Sequence, residues 1–162
     1  MSDPTRVRAD LIPFAAEYSY LVRSWIDCPE TLHDVTRGTE YPPADDIVDS
    51  WQRDGVASYL LSSDRSPVAY GELWTRKLER AVEIAHLVVD NGKRARGYGT
   101  KMLELLYDRA ANRPDVTKVL INLYTENTEA LGCFLKARFE IIGTSQHTQG
   151  LQMIRTVHPS KK

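Results

Sequence analysis

The segment Arg94-Ala95-Arg96-Gly97-Tyr98-Gly99-Thr100 constrains the fold more than any other stretch of this 162-residue chain. It follows the apolar run Leu87-Val88-Val89 and precedes Met102, Leu103, Leu105 and Leu106, which recur on one helical face. Glycines at 97 and 99 let the main chain turn tightly and approach a ligand without a Cβ clash. A helix start presents unpaired N–H groups and a partial positive charge, so its natural occupant is an anion. Arg94 and Arg96 add charge at the rim. Two common phosphate loops do not fit. The dinucleotide fingerprint needs a third glycine where Met102 stands, and an acidic residue where the chain reads Val119-Leu120-Ile121. The mononucleotide loop needs Gly-Lys-Ser/Thr, and Gly99-Thr100-Lys101 has another order.

The rest of the pattern is α/β. Val7 to Leu11 reads as an edge strand and Phe14 to Ile26 as a helix. A second helix signal opens at Ala44-Asp45-Asp46 and runs through Ile47, Val48 and Trp51. Val56–Ser62, Val68–Thr75 and Ala81–Val89 predict an antiparallel meander, with a turn at Asp64-Arg65-Ser66-Pro67. After the helix that starts near Thr100 come a strand (Val116–Tyr124), a helix (Asn127–Ala137) and strands at Phe139–Thr144 and Leu151–Val157. That order predicts parallel pairing through crossovers in the second half. The expected architecture is a mixed sheet of six or seven strands flanked by about four helices.

Composition narrows the function. Lys and Arg total 21 against 22 Asp and Glu, so no basic surplus favours a nucleic-acid partner. No apolar run approaches the roughly 20 residues of a membrane helix. The start, Met1-Ser2-Asp3-Pro4-Thr5, lacks the apolar centre of a signal peptide, which points to the cytoplasm. Cys28 and Cys133 have neither metal-ligand nor disulfide spacing, and no metal is expected.

Arg94-x-x-Gly97-x-Gly99, followed by Asn127-Thr128-Glu129-Ala130, Phe134 and Ala137-Arg138-Phe139-Glu140, resembles the GNAT superfamily of acyl-CoA-dependent N-acyltransferases. The likeness covers about residues 56 to 145, with residues 1–55 as a variable, acceptor-side part of one 1–162 domain. It implies the GNAT fold, acetyl-CoA as co-substrate and a small-molecule or peptide amine as acceptor, with a homodimer left open. The diphosphate would rest on Arg94, Ala95, Arg96, Gly97, Tyr98, Gly99 and Thr100. The pantetheine arm would run along Leu87, Val88 and Val89 like an added strand, near Asn127 and Phe134.

Acetyl transfer needs a free amine lone pair, yet an alkyl amine with a pKa of about 10.4 is only on the order of 0.1% neutral at pH 7. A base therefore helps. Glu83, inside the apolar strand Val82-Glu83-Ile84-Ala85, is the first candidate, because a carboxylate there is costly unless paired or functional. It lies eleven positions before Arg94, where many family members carry such a glutamate. Glu72 is a weaker candidate, and His86 ranks below Glu83. Trp25, Trp51, Trp74 and Tyr70 are candidates to line an acceptor pocket, but aromatics at such spacing are more often core, and none is assigned a role. Phe134 replaces the tyrosine that protonates the leaving thiolate in many members. That leaves open an unassisted thiolate, another donor such as Tyr124 or water, or a non-catalytic acyl-CoA-binding module.

Overall fold

The strands and helices that build the candidate site come from the middle of the chain, in a computed structural model that describes residues 7–123, 128–144 and 150–158. β1 (Asp10–Pro13) is followed by a 3-10 turn at Ala16–Tyr18 and three short helices, α1 (Ser19–Ser24), α2 (Pro29–Thr36) and α3 (Ile47–Ser50). β2 (Val56–Ser63), β3 (Ser66–Arg76) and β4 (Ala81–Val89) form the expected meander. The β2–β3 turn needs only Asp64 and Arg65, both with positive φ, which matches the twist of a tight hairpin. Then come α4 (Tyr98–Ala111), β5 (Lys118–Leu123), α5 (Thr128–Lys136), β6 (Glu140–Thr144) and β7 (Leu151–Thr156).

The sheet order is β1-β2-β3-β4-β5-β7-β6. On one face Met102, Leu103, Leu106 and Ala110 of α4 pack on Leu61, Leu73, Val82 and Ile121. On the other, Val22, Trp25, Leu32 and Val48 of the N-terminal helices and turns pack with Leu60, Tyr70 and Val88. The described residues thus hold one seven-stranded mixed sheet and five α-helices.

Three expectations need correction. Among the described strands only the β4–β5 pair is parallel. β7 returns as a hairpin partner of β6 and inserts between β6 and β5, antiparallel to both. The reason lies in burial: β7 carries the fully buried Met153, whereas β6 exposes Ile141 and Ile142 and fits an edge. The long helix expected over Phe14–Ile26 shrinks to a 3-10 turn and α1, with Leu21 facing outward. α2 was not foreseen, although Pro29 at its first turn after Cys28 is a helix-start signal.

Candidate active site

Two irregularities in β4 create the site. Its pairing with β5 runs from Ala81↔Lys118 to Ile84↔Ile121 and stops, although β4 continues to Val89 and β5 to Leu123. On the other edge, Tyr70 pairs with Val88 and Glu72 with Ala85, so β4 holds one residue more than β3 across that interval. The extra residue is a β-bulge, and His86 within it has φ +50°. Bulges bend the strand that carries them, and here β4 leaves β5 just before the bulge.

Two adjoining cavities fill the opening. The smaller, about 280 Å³, is lined by Leu87, Val88, Val89, Arg94, Ala95, Gly97, Tyr98, Gly99, Thr100 and Phe134, ten of the cofactor residues expected from the sequence together with Leu103 and Cys133. Arg96 is exposed and does not line it. Asn127 lies outside the described residues, as does Tyr124. Gly97 is the N-cap of α4 at φ +85°, a conformation open to glycine at no steric cost. Arg94 is braced from the α1–α2 connection, by Asp27 at 3.7 Å and the Trp25 carbonyl at 3.3 Å. Asp27 also accepts a hydrogen bond from Asn91 at 2.9 Å. That bond, helped by the Arg94 charge, holds the Asp27 carboxyl below its ordinary value.

The larger cavity, about 620 Å³, is lined by Trp74, Arg76, Glu83, His86, Asn122 and Phe134, among others. Both carboxylates singled out from the sequence are buried, Glu83 in the wall of this cavity and Glu72 behind Trp74 and His86, in different company. Oε1 of Glu83 accepts from the Arg76 guanidinium at 2.6 and 3.2 Å. Glu72 is completely buried and accepts from Trp74 Nε1 at 2.7 Å, from His86 Nδ1 at 2.9 Å and from the Tyr70 hydroxyl. Burial and the adjacent Glu72 charge push the Tyr70 phenol well above its ordinary value, so it stays a neutral donor. Gln52 and Ser58 complete the network around its oxygen. Trp51 stacks on His86 with centroids 4.2 Å apart. Trp25 is core, as read from the sequence.

Sequence reasoning passed over Asn122. Its Oδ1 is buried and has no hydrogen-bond partner among the described residues, and the residue lines the larger cavity just past the last β4–β5 pair. The signal was present: an asparagine between Ile121 and Leu123 is a poor strand former. It also passed over Asp34 of α2, which lines both cavities. Among the described residues no cluster of three His, Cys, Asp or Glu is placed to hold a metal, and no helix is long and apolar enough to cross a membrane.

Comparison with known proteins agrees with this geometry. The family model "Acetyltransferase (GNAT) family" matches residues 20–139. Aminoglycoside N(6')-acetyltransferase type 1 of Klebsiella pneumoniae is 26% identical over 117 residues, covering 64% of this chain and 58% of that protein. The chain thus spans little more than half the length of that relative. The kanamycin resistance protein of Rhizobium radiobacter is 29% identical over 89 residues, 53% of this chain and 82% of that one. Among solved structures, aminoglycoside acetyltransferase AAC(6')-Ib in complex with coenzyme A superposes with a TM-score of 0.78 at 18% identity, covering 92% of this chain and 95% of the other. Spermidine N-acetyltransferase from Vibrio cholerae, in complex with CoA and spermine, gives 0.76 at 10% identity, with the same coverage of 92% and 95%. At such identities these two likenesses speak for the fold.

Proposed function

The chain belongs to the GNAT acetyltransferase family, and on that premise we propose that it moves an acetyl group from acetyl-CoA to a primary amine on a polycationic acceptor, by direct attack within a ternary complex. One observation carries this reading. A continuous groove runs from the N-terminus of α4, through the gap where β4 leaves β5, to a cavity lined by a buried carboxylate and an imidazole.

The residues fit the co-substrate. Main-chain amides at the glycine-capped start of α4 suit a diphosphate. Past Ile84 the edge of β4 that faced β5 has no strand partner, so pantetheine amides can extend the ladder along Leu87–Val89. The buried Asn122 Oδ1 offers an acceptor to a ligand N–H. Leu87, Ala130 and Phe134 line both cavities, and a thioester suits their junction. A main-chain N–H of Leu87 or Val88 is the candidate oxyanion donor.

The acceptor class follows from charge. Among the described residues, carboxylates outnumber guanidiniums in the lining of the larger cavity, with Asp34, Glu79 and Glu83 beside Arg76. A ligand with several ammonium groups complements that surplus, and the relatives named above include aminoglycoside acetyltransferases. Phe134 has no proton to give. A thiol of pKa about 8.5 yields a fair leaving thiolate without acid assistance.

The test is turnover of acetyl-CoA with kanamycin, spermine and a lysine peptide, followed by thiol release and by product mass. Acetylation of a polycation ahead of the peptide is the expected result. Tight acetyl-CoA binding with no transfer to any amine would replace the enzyme by the acyl-CoA-binding module, the reading that Phe134 favours.

A further inference from the structure

Glu83 lines the larger cavity and Glu72 is buried behind its wall, and the structure treats the two carboxylates differently. Glu83 carries its own counterion, Arg76, bonded twice to one oxygen. Glu72 is completely buried with donors on both oxygens, so no substrate proton reaches it. An ionised carboxylate only accepts hydrogen bonds, so the hydrogen between Glu72 and His86 sits on Nδ1. Nε2 is then the basic lone pair. Among the described residues no group bonds Nε2, and the ring, about 15% exposed, lines the larger cavity.

The chain is bent to make this arrangement. Strict alternation along β4 sends His86 to the face opposite Glu83. The bulge brings it back to the face of Glu72, at φ +50°, which costs a non-glycine residue about 1–2 kcal/mol. Strain of this kind concentrates at functional sites. Trp51 stacks on one face of the ring and Trp74 meets it edge-on at 5.3 Å, which fixes the rotamer.

We infer that His86 Nε2 is the base that takes the proton from the acceptor amine, and that Glu72 is the positioning residue that sets its tautomer and holds it against the cavity. This deepens the acetyltransferase reading and rests on it. The amine nitrogen bonds to the acetyl carbonyl carbon. Its proton passes to Nε2, the carbon–sulfur bond breaks with its electron pair on sulfur, and the imidazolium returns the proton to the thiolate. Amine and acetyl-CoA become amide and CoA, with no other reactant. The charged and titratable groups around the ring and the cavity it lines are Glu72, the neutral Tyr70 and Arg76 from β3, Glu79 just after it, Glu83 from β4 and Asp34 from α2, with Arg53 over the Trp74 ring.

The deciding variant is His86→Asn. Asparagine tolerates positive φ and keeps a donor for Glu72, but it has no basic nitrogen. At neutral pH kcat/KM for the amine should fall roughly 100-fold or more, the ordinary scale of general-base catalysis. Acetyl-CoA affinity by calorimetry should not change. The defect should shrink as pH rises toward the amine's own pKa, about 10, where the free amine needs no base. Glu72→Gln should cut kcat about ten-fold at unchanged KM for acetyl-CoA. Without any ligand, nitrogen NMR of the ring should show the Nδ1–H tautomer in the wild type and lose that preference in Glu72→Ala, which removes the acceptor. A His86→Asn defect under three-fold, or one equally deep at every pH, overturns the assignment, as does an Nε2–H tautomer in the wild type. If the wild type acetylates and His86→Asn matches it, His86 alone falls. If the wild type acetylates nothing, the enzyme reading falls and takes this one with it.

Discussion

Replacing Glu72 by alanine should destabilise the protein by about 2–4 kcal/mol, far more than replacing it by glutamine. Glutamate is completely buried at this position and receives hydrogen bonds from Trp74 Nε1, His86 Nδ1 and the Tyr70 hydroxyl. Truncation to alanine leaves those donors facing a void. Tyr70 keeps Gln52 and Ser58 as partners, so two donors are orphaned in full. Each buried donor left unpaired costs about 1–3 kcal/mol. Part of that sum is offset, because a carboxylate no longer has to be desolvated. For a chain of this size a net loss of 2–4 kcal/mol corresponds to a fall in Tm of about 5–15 °C. Glutamine keeps the shape and one carbonyl acceptor. Its amide can face Tyr70, whose hydroxyl rotates to accept, so the loss should stay within about 1 kcal/mol. Calorimetric melts of the two variants make the comparison. Adding Trp74→Phe to each gives a cycle. The second change should cost about 1–2 kcal/mol less in the alanine background, where the indole donor already lacks its partner. If Glu72→Ala melts with Glu72→Gln, or the cycle shows no coupling, Glu72 is not the hub of a buried network, and the reasoning about His86 loses its anchor.

Other variants probe separate parts of the groove. Gly97→Glu forces a side chain onto φ +85° and puts a carboxylate at the N-terminus of α4, where it takes the place of the diphosphate. Acetyl-CoA affinity should fall at least roughly 100-fold, about 2.7 kcal/mol, by calorimetry, while the protein stays folded by circular dichroism. Glu83→Gln should lower kcat/KM for a polycationic amine roughly ten-fold, and lower it less for a monoamine, with acetyl-CoA binding unchanged in calorimetry. A Cβ at Gly71 would sit 2.8 Å from Leu106 Cδ1 and 3.2 Å from Met102 Cε. Gly71→Val should therefore cost about 1–3 kcal/mol in urea denaturation, with part of it recovered by Leu106→Ala.

The parts of the molecule legible from the sequence are those fixed by neighbours along the chain. Gly97, Gly99 and the stripe from Met102 to Leu106 specify a glycine-capped helix within about ten residues of chain, and the structure places them so. Hairpin strands are local too, which is why β2, β3 and β4 came within a few residues of their bounds. What escaped is decided across the sheet. The position of β7 depends on where Met153 can be covered by residues far away in sequence. The company of Glu72 and Glu83 was equally hidden, because Arg76 and His86 reach them across strands. Above all, the bulge at His86 inverts the inside-outside reading of one residue. No periodicity shows such a shift, since one added residue exchanges the two faces of a strand.

That single added residue links the two halves of the reaction. Acetyl transfer needs a slot for the pantetheine arm and a proton acceptor beside the thioester, and both must meet within about 3 Å of one carbonyl. A regular β4 would stay paired with β5 and close the slot, and it would turn His86 away from Glu72. The bulge undoes both at once, because bending the strand and re-aiming the side chain are the same displacement. Gly71 lies on β3 directly across from it, where the absence of a Cβ lets Leu106 and Met102 of α4 press against the sheet. The helix whose first turn faces the diphosphate is thus seated on the strand that carries Glu72. On the proposed reading, the distance between anion site and base is set by β3–α4 packing. A substitution that lifts α4 off Gly71 should therefore weaken acetyl-CoA binding and slow proton transfer together, although it touches neither group.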